Sequence, residues 1–374
     1  MSNGVYAHIT GWGMHVPEKI LTNAEIAKMV DTNDEWIRDR TGIEERRIAG
    51  KDDTCASLGA QAAINALRVA KLHPSEVDLI ITATSSPEYT FPATASIIQD
   101  RIGAVKAGAF DISAACTGFI YAIEMASLAI RGGSAKSALV IGTETLSRIV
   151  DWTDRGTCIL FGDGAGAFVL QASDFPGGVL SSMMRSDGSG AETLWVPAGG
   201  SAIPASLQSV QEGLHFIKMN GREVYRFATR VMAQAAREVI EKANLEIDDI
   251  DLFIPHQANK RIIEAAARGL KIPLDRIVIN VQKYGNTSTA SIPIATCEAI
   301  DDGRLNPGDT VVFVGFGGGL SWGALTSTWT GPLTTKPRRL RLARYRRIVY
   351  ARSVLRRIWR KIDAFIWGRG KTKN

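Results

Sequence analysis

A chain of 374 residues with 45% apolar content and 36 glycines is long enough for two sizeable buried cores, which excludes a disordered or fibrous protein. The net charge of +6 averages two unlike parts, because residues 331–374 hold 15 of the 44 Lys and Arg against one acid, Asp363, so the body before them is acidic. Cys55, Cys116, Cys158 and Cys297 are scattered, with no CxxC or Cys/His cluster, which excludes a zinc or disulfide framework and implies a reducing compartment.

Near the start, MSNGVYAHITGWGMHVPEKI has no basic run followed by a long apolar stretch, and no uninterrupted apolar run reaches membrane-spanning length. A cytoplasmic enzyme is predicted. In chain order, VDLIITATSS (Val77 to Ser86) reads as a strand. FDISAACTGFIYAI (Phe110 to Ile123) reads as a buried strand that breaks at Ala-Ala-Cys and opens a helix. That helix is apolar on nearly every side from Phe119 to Ile130, as a central helix is. SALVIGTET (Ser137 to Thr145) and the glycine-led GDGAGAFVL (Gly162 to Leu170) read as further strands, and Phe175 to Gly221, rich in Gly, Ser and Pro, reads as a connection. IDLFIPHQ (Ile250 to Gln257), YGNTSTASIPIATCEAI (Tyr284 to Ile300), DTVVFVGFGGG (Asp309 to Gly319) and SWGALTSTW (Ser321 to Trp329) then repeat the same order. The pattern predicts a duplicated α/β protein with halves over 1–175 and 176–330 and a basic tail over 331–374.

Three polar side chains stand where a strand gives way to a loop or helix: Cys116, His256 and Asn286. A cysteine at a helix N-terminus meets unpaired N–H groups and the positive dipole end, which predicts a thiolate near neutral pH. His256 and Asn286 can donate hydrogen bonds, and Gly317-Gly318-Gly319 can bring backbone N–H groups to a ligand. Taken singly, each has a structural explanation: a packed thiol, a buried hydrogen-bonded histidine, a turn asparagine, a glycine bulge. Their conjunction favours catalysis, with Cys55, Cys158 and Cys297 assigned to the core.

With DTNDEWIRDRTGIEERRIA (Asp31 to Ala49), DRGTCILFGDGAGA (Asp154 to Ala167), PHQANKRI (Pro255 to Ile262), YGNTSTASIP (Tyr284 to Pro293) and GFGGGLSWG (Gly315 to Gly323), the chain resembles β-ketoacyl-acyl carrier protein synthase III, a thiolase-like condensing enzyme family. The resemblance runs over nearly all of residues 4–330. It implies a duplicated five-layered αβαβα thiolase-like fold, usually a homodimer. It implies catalysis by Cys116, His256 and Asn286, with an oxyanion hole from the N–H groups of Cys116 and Gly318. It also implies that Trp36 and Arg155 sandwich the adenine of coenzyme A, with Thr32, Arg40 and Asn259 lining its channel. The segment Gln257, Ala258, Asn259, Lys260, Arg261 would dock acyl carrier protein, and Phe91 would cross the dimer to close the partner's acyl pocket. Acyl-CoA and malonyl-acyl carrier protein would be substrates, and no cofactor, metal or nucleic acid is expected. A secondary-metabolism condensing enzyme and an inactive scaffold are the competing readings.

In the tail, Leu342, Tyr345, Ile348, Ala351, Leu355, Ile358, Ile362 and Phe365 recur in steps of three or four, with Arg344, Arg347, Arg352, Arg356, Arg360 and Lys361 on the remaining surface and Trp359 and Trp367 near the far end. The pattern fits peripheral contact of residues 336–374 with an anionic membrane, docking of an acidic protein, or an inert extension. The resemblance ends before it.

Overall fold

The computed structural model describes residues 4–333 and 342–368. Its strands fall into two main sheets. The first comprises β1 (Tyr6–His15), β2 (Leu79–Ala83), β3 (Gly108–Ile112), β4 (Ser137–Glu144) and β5 (Gly164–Ser173), in the order β1-β5-β4-β2-β3. The second comprises β6 (Val179–Ser186), β7 (Leu252–Pro255), β8 (Thr310–Gly317) and β9 (Ser321–Thr328), in the order β7-β8-β9-β6. The pairings repeat. β2 lies parallel to β4 as β7 lies parallel to β8, and each ladder continues antiparallel through β5 and β1 or through β9 and β6. Beyond β2 the first sheet carries β3, whereas beyond β7 the second has a single parallel bridge, Phe253 to Ile277.

Helices fill the spaces between and outside the sheets: α1 (Asp34–Thr41), α2 (Cys55–Val69), α3 (Thr94–Ile102), α4 (Gly118–Arg131), α5 (Gly221–Lys242), α6 (Lys260–Leu270), α7 (Ser291–Asp301) and α8 (Leu342–Gly368). Between the sheets, Phe119, Ile120 and Ile123 of α4 and Ile292 and Ala295 of α7 pack against Val140 and Phe168 on one side and Ile254 and Phe313 on the other. On the outer face of the first sheet, α2 and α3 cover Leu139, Ile141 and Val169; on that of the second, α5 and α6 cover Phe253, Val312 and Val314. Adjacent residues of one strand thus enter different cores. Burial on both faces is why these strands read as unbroken apolar runs rather than alternating ones. The result is a five-layered αβαβα fold of the thiolase type.

Two strands left no such run in the sequence. β1 carries His8, Thr10, Gly11 and Gly13, and β6 reads VLSSMMRS; each is the outermost strand at the antiparallel end of its sheet. The segment from Phe175 to Gly221 is therefore more than a connection, since it opens with β6 and continues into a short ribbon pairing Leu194 and Trp195 with Lys218 and Met219.

Candidate active site

The chain leaves β3 at Ile112, and Ala115–Thr117 forms one 3₁₀ turn before α4 begins at Gly118. Cys116 therefore lies just ahead of the central helix, not on it. Ala115 has φ +45°, a left-handed conformation that costs an alanine about 1 kcal/mol or more and persists only where its surroundings hold it. They do: the end of β8 lies flat on the turn, and a Cβ at Gly317 would stand 2.6 Å from Cys116 N. The second half repeats the device. Ser288 has φ +46° and opens the 3₁₀ turn Ser288–Ala290 that leads into α7. Just before it, Asn286 donates from its backbone to Leu160 O at 2.8 Å and accepts from Gly162 at 3.0 Å. Its Oδ1 accepts the Ser288 N–H at 2.8 Å, so the amide Nδ2 is the end left to meet a ligand.

His256 continues the β7 ladder, its N–H donating to Val314 O at 2.8 Å. Its Nδ1 lies 2.6 Å from the Oγ of Ser291, the first residue of α7, while Nε2 is buried without a partner among the described residues. Ser291 Oγ already accepts the Gln257 N–H at 3.3 Å. Donation of its own hydrogen to Nδ1 satisfies both groups and leaves Nε2–H as a donor. Burial pulls the imidazole down to about 3, so it is neutral across the physiological range. A folded-state value below the unfolded one contributes stability that is present above about pH 6.5 and is lost as the pH falls toward 3. Urea titrations should therefore show the protein losing about 2–3 kcal/mol more between pH 6.5 and 4.5 than a His256→Asn variant does.

The thiol behaves differently from the sequence-based expectation. Cys116 is 6% exposed, and burial pushes its thiol up to about 12, with the Ser288 hydroxyl acting in the opposite direction and the carboxylate of Glu144 adding to the rise. Desolvation outweighs the helix end, so the resting group is a neutral thiol. Glu144 carried no signal in the sequence, yet it ties the two halves together beside Cys116. It accepts from Ser86 Oγ at 2.6 Å, Ser85 N at 3.1 Å and Thr289 Oγ1 at 3.0 Å, and burial raises its own value.

Two cavities meet at Cys116. One, of about 610 Å³, is walled by Ile112, Tyr121, Leu146, Ile149 and Phe161 and also touches Gly318 and Ser288. The other, of about 460 Å³, takes in His256, Asn286 and Phe316 and runs out past Trp36, Arg40 and Asn259. Asn33 caps α1 by accepting the Trp36 N–H at 2.8 Å, which sets the indole at the outer end of this corridor. The guanidinium of Arg40 lies 4.7 Å from the indole centroid and that of Arg155 5.0 Å. Arg155 thus rests half-exposed against the indole ring. Thr32 lines neither cavity, and its Oγ1 is buried without a partner among the described residues.

The segment after His256 divides. Lys260 and Arg261 are exposed, Ala258 and Asn259 are half-buried, and Asn259 caps α6 by accepting the Arg261 N–H at 2.8 Å while donating to Arg40 O at 2.9 Å. Gln257, expected on the docking surface, is instead 1% exposed and spends its amide on Pro255 O, Val278 O and Asn280 N. A strand-end position makes it a brace, not a contact. Arg222 and Arg226, one turn apart on α5, line the mouth instead, with Arg261 over the Tyr225 ring at 5.6 Å; their i, i+4 spacing was the available signal. Phe91 lines neither cavity and is 84% exposed. Among the described residues, no group of His, Cys, Asp and Glu is placed to hold a metal ion.

A cysteine between two corridors, at the joint of a duplicated αβαβα fold and beside a histidine and an asparagine, defines a thiolase-type condensing enzyme. Family models described as 3-oxoacyl-[acyl-carrier-protein] synthase III and its C-terminal part match residues 110–188 and 240–329. The chain is 52% identical to the β-ketoacyl-[acyl-carrier-protein] synthase III of Symbiobacterium thermophilum over 321 residues, 86% of this chain and 97% of that one. It is 47% identical to that of Roseiflexus castenholzii over 325 residues, 87% and 98% of the two chains. The crystal structure of the Aquifex aeolicus 3-oxoacyl-[acyl-carrier-protein] synthase III superposes with a TM-score of 0.79 at 48% identity, covering 86% of this chain and 99% of that one. The chain belongs to the β-ketoacyl-acyl carrier protein synthase III family and is an acyltransferase.

Proposed function

We propose that this enzyme starts fatty acid synthesis by moving an acyl primer from coenzyme A to Cys116 and condensing it with malonyl-acyl carrier protein. The observation that carries this reading is the meeting of two cavities at one sulfur: an apolar one sized for an acyl chain and a corridor with arginines and an indole at its outer end. In the first step Cys116 sulfur attacks the thioester carbonyl, the C–S bond to coenzyme A breaks, and the Cys116 proton leaves on the coenzyme A thiol. This exchange avoids a free resting thiolate, as a buried thiol requires. The N–H groups of Cys116 and Gly318 are the assigned oxyanion donors.

In the second step malonyl thioester loses CO₂, and the electron pair of the broken bond becomes an enolate. Asn286 Nδ2 and His256 Nε2–H hold its oxygen while its carbon attacks the acyl carbonyl on Cys116. The sulfur departs as a thiolate and takes up one proton from water, which the overall condensation consumes. The neutral histidine suits this role, since it donates without titrating. Trp36, Arg40 and Arg155 are assigned to the nucleotide end of coenzyme A, and Lys260, Arg261, Arg222 and Arg226 to the acidic carrier protein.

A second copy of the chain completes this reading. β3 is an edge strand, and Asp111 on it accepts the N–H groups of Thr94 and Ala95 at 2.6 and 2.7 Å, which holds the preceding loop beside that edge. Tyr89, Phe91 and Phe110 are 60%, 84% and 42% exposed there, an apolar edge suited to a twofold partner, into whose cavity Phe91 would reach.

Incubation with a panel of acyl-CoAs followed by malonyl-acyl carrier protein tests the function. The expected result is a mass gain on Cys116 with short primers, then release of 3-oxoacyl-acyl carrier protein. Acylation of Cys116 without condensation on the carrier protein would overturn it.

A further inference from the structure

We propose that α8 is a membrane-surface helix, which lies in the plane of an anionic lipid bilayer and carries the enzyme on its opposite side. One face of α8 is docked on the protein. Tyr345, Val349, Ser353 and Arg357 follow one another at intervals of four. Tyr345 Oη donates to Gly103 O at 2.9 Å and its ring packs 4.1 Å from that of His73; Val349 is 6% exposed; Ser353 Oγ donates to Asp100 Oδ2 at 2.7 Å, and Arg357 pairs with the same carboxylate. The stripe read from the sequence is thus redrawn, because Tyr345 belongs to the docked face.

At 3.6 residues per turn, the positions about half a turn away are Ile348, Leu355, Ile358, Ile362 and Phe365, with Trp359 at their border. These side chains are between 48% and 69% exposed. Single exposed apolar residues need no explanation, but a row of them along one helix does. Arg352 and Lys361 are exposed at the two borders of this stripe, Arg356 and Arg360 are exposed on the side of the docked face, and Asp363 is the one acid of the helix. Long cationic side chains beside an apolar stripe place their charges at phosphate level while the stripe enters the acyl boundary, which fits an anionic bilayer better than a zwitterionic one. An acidic protein surface would match the charges and leave the stripe in water.

No described helix is long and apolar enough to cross a membrane, so α8 lies on the bilayer instead of spanning it. The C-terminal family model ends at Trp329, and no residue of α3 or α8 lines either cavity at Cys116. Attachment through α8 therefore leaves both corridors open.

Sedimentation of the full chain with extruded vesicles tests this. Vesicles of phosphatidylglycerol and phosphatidylcholine in equal parts should carry the protein down at low salt, phosphatidylcholine alone should not, and added salt should release it. The double variant Ile358→Glu/Ile362→Glu alters only exposed side chains. It should keep the melting temperature and turnover on soluble substrates yet bind mixed vesicles at least about tenfold more weakly. Replacing Arg352, Arg356, Arg360 and Lys361 by glutamine should weaken binding about a hundredfold. No sedimentation of the wild type with mixed vesicles would overturn the proposal. So would undiminished binding by the double glutamate variant, a result that would show that the stripe does not enter the bilayer.

Discussion

A Cys116→Ala variant forms no acyl-enzyme from any acyl-CoA, and its condensation falls about a thousandfold or more, because the covalent route is lost entirely. The variant should still release CO₂ from malonyl-acyl carrier protein, since Asn286 and His256 are held by other elements: the Leu160 and Gly162 backbone for one, Val314 and Ser291 for the other. Intact-mass spectrometry reads the first outcome and CO₂ release the second. Turnover that survived the substitution would remove the mechanism. The same thiol makes a prediction about pH. With its value pushed up to about 12, alkylation by iodoacetamide should be slow at pH 7 and climb about tenfold per pH unit without levelling before pH 10. A plateau near neutrality would show a resting thiolate after all, and labelling of Cys55, Cys158 or Cys297 in its place would show that the wrong sulfur has been assigned.

His256→Ala and Asn286→Ala should separate the two halves of the reaction. Each variant is expected to keep acyl transfer to Cys116 within about tenfold of wild type, because the oxyanion donors proposed for that step are backbone groups. Each loses one preorganised donor to the enolate, about 3 kcal/mol, and so about a hundredfold or more in decarboxylation and condensation. The double variant should fall short of the product of the two, since both donors serve one oxygen. Single-turnover acylation against malonyl decarboxylation measures the split. Equal losses in both steps for either variant would assign that residue to acylation, and near-normal condensation without His256 would remove it from the mechanism.

Much of the fold was legible because burial on both sides of a sheet writes itself as unbroken apolar runs such as SALVIGTE, and the central helix as the nearly all-apolar stretch after Cys116. β1 and β6 were not: β6 is largely half-exposed or exposed, and β1 buries His8 and Thr10 on hydrogen bonds to Thr330, Phe175 O and Gln171, distant partners that no local pattern announces. Glu144 was invisible for another reason: an acidic residue at a strand end reads as surface, and only its hydrogen bonds to Ser85, Ser86 and Thr289 reveal a buried brace.

The sequence by itself determined the duplicated α/β order and the presence of a basic amphipathic tail, and it singled out Cys116, His256 and Asn286 as candidates, since each rests on local pattern and residue chemistry. The tertiary structure decided what those residues are. Desolvation by distant side chains makes Cys116 a thiol, burial between strand and loop turns Gln257 into a brace, and docking on Gly103 and Asp100 selects which face of the last helix remains exposed. Such properties depend on neighbours far away along the chain, and no local period encodes them.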